Sequence, residues 1–89
     1  MSYAWEFTDR AVRNFRALEP WLQEETLDEI DAAAADPVVE RDPRRDDEQV
    51  YDFIREHEGK LVYVFYVASA NPLTRIFKVA SMGTYSRKI

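Results

Sequence analysis

Residues Leu61 to Ile89 carry four bases, Arg75, Lys78, Arg87 and Lys88, and no acid, within a chain whose net charge is −5. Bases gathered at one end of an acidic chain can form a local positive patch able to hold a phosphate. Arg55 and Lys60 extend that set just upstream. Tyr51, Tyr63 and Tyr66 stand among apolar residues and offer rings on which a nucleobase could stack. The single histidine, His57, lies between Glu56 and Glu58, carboxylates that favour its charged form, so a surface turn is the better reading than a general base. Glu24, Asp28 and Asp31 could suggest a divalent cation, but they share one stretch with no second converging element, so solvation accounts for them better. Exposed charge is most often solvated surface alone, and that reading stands beside every basic candidate above.

Composition closes off several classes. The chain has 89 residues and no cysteine, which removes disulfide frameworks, thiolate metal sites and cysteine nucleophiles. One histidine excludes most imidazole metal clusters, and neither a metal nor a cofactor is expected. Hydrophobic content of 46% fits a folded globular chain rather than a disordered one. No apolar run approaches the roughly 18 residues of a membrane helix, and Met1-Ser2-Tyr3-Ala4-Trp5-Glu6 lacks a signal-peptide pattern. A single domain over residues 1–89 with a cytoplasmic location is the expectation, and no membrane is expected among its partners.

The elements that must position these residues follow from periodicity. Tyr3 to Phe7 alternates aromatic with smaller or polar residues and predicts a short strand with Tyr3, Trp5 and Phe7 on one face. Thr8 can cap the helix that follows. From Asp9 to Leu18, Ala11, Val12, Phe15 and Leu18 form an apolar stripe, while Arg10, Arg13 and Arg16 share a second face. Pro20 suits the first position of a second helix running to about Ala35, acidic on its wet side. The arginine stripe is expected to pair with those acids or with Glu19. Asp36-Pro37 ends the helix, and Val38 to Gln49 reads as a solvated loop. Val50 to Arg55 resumes strand character, Glu56-His57-Glu58-Gly59 forms a turn, and Lys60 to Val67 is a strand so apolar that it should be covered on both sides. After a turn at Ser69-Ala70-Asn71-Pro72, a strand is predicted from Thr74 to Met82, ended by Gly83 and followed by a short tail. In that strand Arg75, Phe77 and Val79 take one face and Ile76, Lys78 and Ala80 the other. The order β-α-α-β-β-β gives an α+β fold: a helical hairpin packed on a small, mainly antiparallel sheet. The first strand is expected at an edge or beside the last strand.

That order, with these residues, resembles the RelE/ParE superfamily of bacterial toxins. Tyr3 to Leu18, reading YAWEFTDRAVRNFRAL, is similar to the family's opening aromatic strand and basic first helix. Asp36-Pro37 falls where its second helix ends, and Tyr51, Gly59 and Tyr66 fall on its strand–turn–strand hairpin. The resemblance implies a toxin of a type II toxin–antitoxin pair, neutralised by a cognate antitoxin protein. RelE-like members imply an endoribonuclease cutting mRNA in the ribosome, an mRNA interferase; ParE-like members imply interference with DNA gyrase.

Ribonuclease chemistry needs cations to hold phosphate and groups to move protons at the 2′-hydroxyl and the leaving oxygen. The resemblance implies basic residues on the strand before the hairpin and an arginine in the central strand. Here the first strand offers Asp52 and Ile54, with only Arg55 basic, and no arginine lies between Leu61 and Tyr63. The leading expectation is therefore a toxin-like protein with weak or absent ribonuclease activity that acts through a protein partner. The alternatives are an active interferase using Arg55, Lys78, Tyr85 and Arg87, with Tyr85 moving the proton, and a gyrase-directed toxin.

Overall fold

In the computed structural model, residues 2–39 and 48–89 are described. The elements run β1 (Ala4–Phe7), α1 (Asp9–Arg16), α2 (Pro20–Ala35), β2 (Gln49–His57), β3 (Lys60–Asn71) and β4 (Ile76–Lys88). One four-stranded sheet has the order β1-β4-β3-β2, antiparallel except for the parallel pair β1–β4. Both helices pack on the same face, which is the α+β hairpin-on-sheet arrangement expected. Most of the solvated loop expected from Val38 to Gln49 falls on residues 40–47, outside the described residues.

The helix signals act as their chemistry dictates. The hydroxyl of Thr8 accepts from the Ala11 N–H at 3.1 Å, capping α1, and donates to the Ala80 carbonyl at 2.6 Å. Pro20 opens α2, where a missing N–H costs nothing. Leu22, Thr26, Ile30 and Ala34, four apart, form the buried stripe of α2. Ile30, Ala34 and Ala11 close over Tyr66, Ala68, Phe77, Val79 and Met82, while Leu22 packs with Phe53 and Val64. The aromatic face of β1 behaves as expected: Phe7 meets Phe15 at 5.6 Å between ring centroids, and the Trp5 indole N–H donates to Asp31.

Several expectations about the strands change. β3 does not turn at Ser69 to Pro72 but stays paired with β4 to Asn71, and the turn follows over residues 72–75. β4 does not stop at Gly83 but continues to Lys88, pairing with β3 along its whole length. Glycine reads as a breaker because it brings no side chain to a sheet. Here the ring of Phe65, directly across, lies over Gly83 so closely that a Cβ there would sit 2.6 Å from its tip. The aromatic thus supplies the packing that the glycine lacks. Arg75, expected on the strand, lies instead in the turn before it at φ 55°. That turn is built on Asn71, whose side-chain oxygen accepts from the Leu73 and Thr74 N–H groups.

A register shift between Val67 and Ala68 leaves Ala80 as an extra residue in β4. Such a bulge leaves backbone groups unpaired. α1 satisfies them: Thr8 takes the Ala80 carbonyl, and the Asn14 side chain accepts from the Met82 N–H at 3.1 Å. The β2–β3 turn is shorter than expected, since the strands run to His57 and from Lys60. Its two residues, Glu58 (φ 50°) and Gly59 (φ 76°), are both left-handed, the signature of a primed hairpin turn.

Candidate functional site

The sheet has two unlike faces. Tyr51, Phe53, Arg55 and His57 of β2 point toward the helices, as do Val62, Val64 and Tyr66 of β3. Side chains alternate along a strand, so Val50, Asp52, Ile54 and Glu56 must point the other way, with Leu61, Tyr63, Phe65 and Val67 beside them. β3 was expected to be covered on both sides, but no helix of the described residues lies over this second face, and Phe65 is 41% exposed. Four rows cross it: Val50–Val67–Ser81, Asp52–Phe65–Gly83, Ile54–Tyr63–Tyr85 and Glu56–Leu61–Arg87. Tyr63 and Tyr85 stack at 4.5 Å with their planes 3° apart. A shallow hollow of about 280 Å³ opens among Val50, Asp52, Tyr63, Phe65 and Tyr85.

Of the four residues considered for phosphoryl chemistry, the fold brings two together. Tyr85 and Arg87 follow each other on the open face near the end of β4. Lys78 shares that face but stands in the row Glu6–Lys78–Ser69, about 20 Å along the strand at roughly 3.3 Å per residue. Arg55 lies on the opposite face, under α2. Its Nε donates to Glu25 at 2.9 Å and its other arm to Glu29, one helical turn apart, while the guanidinium sits 5.0 Å from the Phe53 ring. Those hydrogen bonds, first with Glu25 and then with Glu29, raise the Arg55 pKa. Two acids of α2, Glu25 and Glu29, are thus engaged by a strand arginine. Among the described residues no ion pair joins them to Arg10, Arg13 or Arg16, which the charge pattern had suggested. An arginine on the strand facing α2 can set both fork arms on carboxylates four residues apart.

His57 ends β2 and stacks on Trp21 of α2 at 3.9 Å, with Glu58 at 3.8 Å from its Nε2. It borders a groove of about 370 Å³ at the far end of the sheet, where Leu22, Lys60, Val62 and Ser86 also lie. Among the described residues no group of three histidine or acidic side chains could hold a metal ion. No helix there is long and apolar enough to cross a membrane.

Chemically, the open face offers stacking and apolar contact more than charge. Its aromatic half holds one cation, Arg87, against the carboxylates of Asp52 and Glu56. Glu56 lies on β2 rather than in the turn expected there. The signal was present, since Tyr51 and Phe53 as core residues fix Glu56 on the opposite face from Arg55.

No family model matches the sequence, and a search of curated proteins finds no relative. Solved structures do match. The isolated Escherichia coli RelE toxin superposes with a TM-score of 0.68 at 20% identity, over 98% of this chain and 88% of that one. The intact E. coli RelBE toxin–antitoxin complex gives 0.67 at 20% identity, over 97% and 100%. An archaeal RelE–RelB complex from Pyrococcus horikoshii gives 0.58 at 18% identity, over 92% and 93%. The chain has the RelE-like toxin fold that its opening strand, first helix and hairpin resemble.

Proposed function

We propose that this RelE-like chain is the toxin-like member of a type II toxin–antitoxin pair, that it acts through protein contacts, and that its ribonuclease activity is weak or absent. The observation that carries the second half is the open sheet face. The resemblance implies bases on the strand before the hairpin and in the central strand, and this face has Asp52, Ile54, Leu61 and Tyr63 there. A transition state with charge spread over phosphate oxygens is stabilised by converging cations. A carboxylate beside it would raise the barrier. Arg55, the basic residue of β2, is turned away and held by Glu25 and Glu29.

The partner is a cognate antitoxin, as in the RelBE and RelE–RelB complexes that share the fold. Glu24, Asp28 and Asp31 are exposed on α2, and this acidic stripe favours a basic segment of the partner through electrostatic steering. A second reading has one observation behind it: Tyr85 and Arg87 share the open face, a minimal acid–base and phosphate pair for an atypical mRNA interferase. Induction in a bacterial host, followed by growth measurement and mapping of transcript ends, separates the two. Intact transcripts, with growth effects relieved by the product of the adjacent small reading frame, are expected. Cleaved transcripts that disappear on Tyr85→Phe or Arg87→Ala would establish the second reading instead.

A further inference from the structure

The open face of the sheet leaves several large apolar and aromatic side chains uncovered among the described residues. Val50 is 70% exposed, Tyr85 59%, Ile54 48% and Phe65 41%. With about 150–250 Å² for an aromatic side chain, these and the half-buried Leu61, Tyr63 and Val67 present roughly 400 Å². That falls among the largest patches of ordinary monomers, about 300–600 Å², which are often functional. The Phe65 ring lies across β4 over Gly83, and Tyr63 and Tyr85 lie parallel, around the shallow hollow beside Val50 and Asp52.

Two charges flank this patch in a single row, Glu56 on β2 and Arg87 on β4, with Leu61 of β3 between them. Two strand spacings separate their backbones, about 10 Å. Both are exposed, and no ion pair joins either to another described residue.

We propose that this face packs against the same face of a second copy, about a two-fold axis running along β3. Such an axis keeps position along the strands and exchanges β2 with β4. Glu56 of each copy then lies over Arg87 of the other, Ile54 over Tyr85, and Tyr63 and Phe65 over their own counterparts. Asp52 lies over Gly83 and the Phe65 ring that covers it, at an edge strand open to water. The other two-fold in the plane, across the strands, lays β2 on β2. It sets Glu56 over Val50 and Arg87 over Ser81, leaving every charge without a partner. Charge complementarity therefore selects the first axis. β1 pairs only with Ile76–Val79, so the strand edge beside Arg87 is free of it, and the two ion pairs close the rim. Aligned packing of two twisted sheets at about 10 Å is an ordinary solution for antiparallel faces. With the rim, the pair buries about 800–1,000 Å² in total, the size of weak, transient interfaces, so weak self-association in the micromolar range is expected. This inference concerns self-association and does not depend on the antitoxin reading.

Sedimentation velocity on the full chain tests it. The wild type should pass from monomer to dimer over the micromolar range. Glu56→Arg and Arg87→Glu should each be monomeric, with unchanged circular dichroism and melting, since each sets like charges face to face twice over. An equimolar mixture of the two variants should dimerise again, at least tenfold more tightly than either alone, because each chain then opposes both positive positions to both negative ones. A wild type that stays monomeric at several hundred micromolar would overturn the proposal and give the face to another occupant. So would single variants that still dimerise, or a mixture that does not recover.

Discussion

Thr26 provides the sharpest test of the core. It is fully buried on α2 between Leu22 and Ile30, and among the described residues its hydroxyl has no hydrogen-bond partner. Valine has the same shape and nearly the same helix propensity, so Thr26→Val changes little except the lone polar atom. A buried hydroxyl without a partner costs about 1–3 kcal/mol of desolvation. Some of that returns through local relaxation, so a gain of about 1–2 kcal/mol is expected, near 5–10 °C in Tm for a chain of this size. Thr26→Ser is the counterpart: it keeps the hydroxyl and deletes a buried methyl, and should lose about 1 kcal/mol. Urea unfolding followed by circular dichroism at neutral pH measures both, and an unchanged m-value shows that the denatured state is not the cause. A less stable valine variant beside a near-neutral serine variant would refute the reasoning, for it would mean that the hydroxyl is bonded, most simply to the Leu22 carbonyl one turn back.

Burial raises the pKa of Tyr66, and the neighbouring Tyr51, stacked on it at 5.1 Å, adds to the effect. The sign follows: below the unfolded value near 10 both states hold the proton and stability is complete, and it falls as pH rises above that value toward the folded one. Urea midpoints for Tyr66→Phe between neutrality and pH 11 should show a shallower alkaline decline than the wild type, and superimposable declines would count against it. In the β2–β3 turn, Glu58 holds a left-handed conformation that asparagine adopts more easily. Glu58→Asn should gain about 0.5–1 kcal/mol, read as a higher Tm, and a loss would show that Glu58 contributes more through His57 than through its backbone.

Much of the fold was legible because local chemistry decides it. Thr8 caps α1, Pro20 opens α2, Gly59 turns the hairpin, and the 3.6 and 2 periodicities mark the helices and strands between them. These are short-range preferences, and nothing distant overrides them. The candidate site was less legible. Arg55, Lys78, Tyr85 and Arg87 look alike as a set of basic and aromatic residues, but strand parity sends Arg55 to the helix side, and the length of β4 parts Lys78 from the other two.

The sequence alone determined the element order, the hairpin and the acidic character of α2, all written in neighbouring residues. Only tertiary structure decided that β4 runs through Gly83, because the ring that compensates the glycine comes from another strand. It also decided which carboxylates Arg55 meets, since Glu25 and Glu29 approach it from the helix packed over β2. Finally, it decided that one side of the most apolar strand faces outward. Hydrophobicity states that a surface should be covered, while the placement of the two helices, both on one face, determines which surface is left.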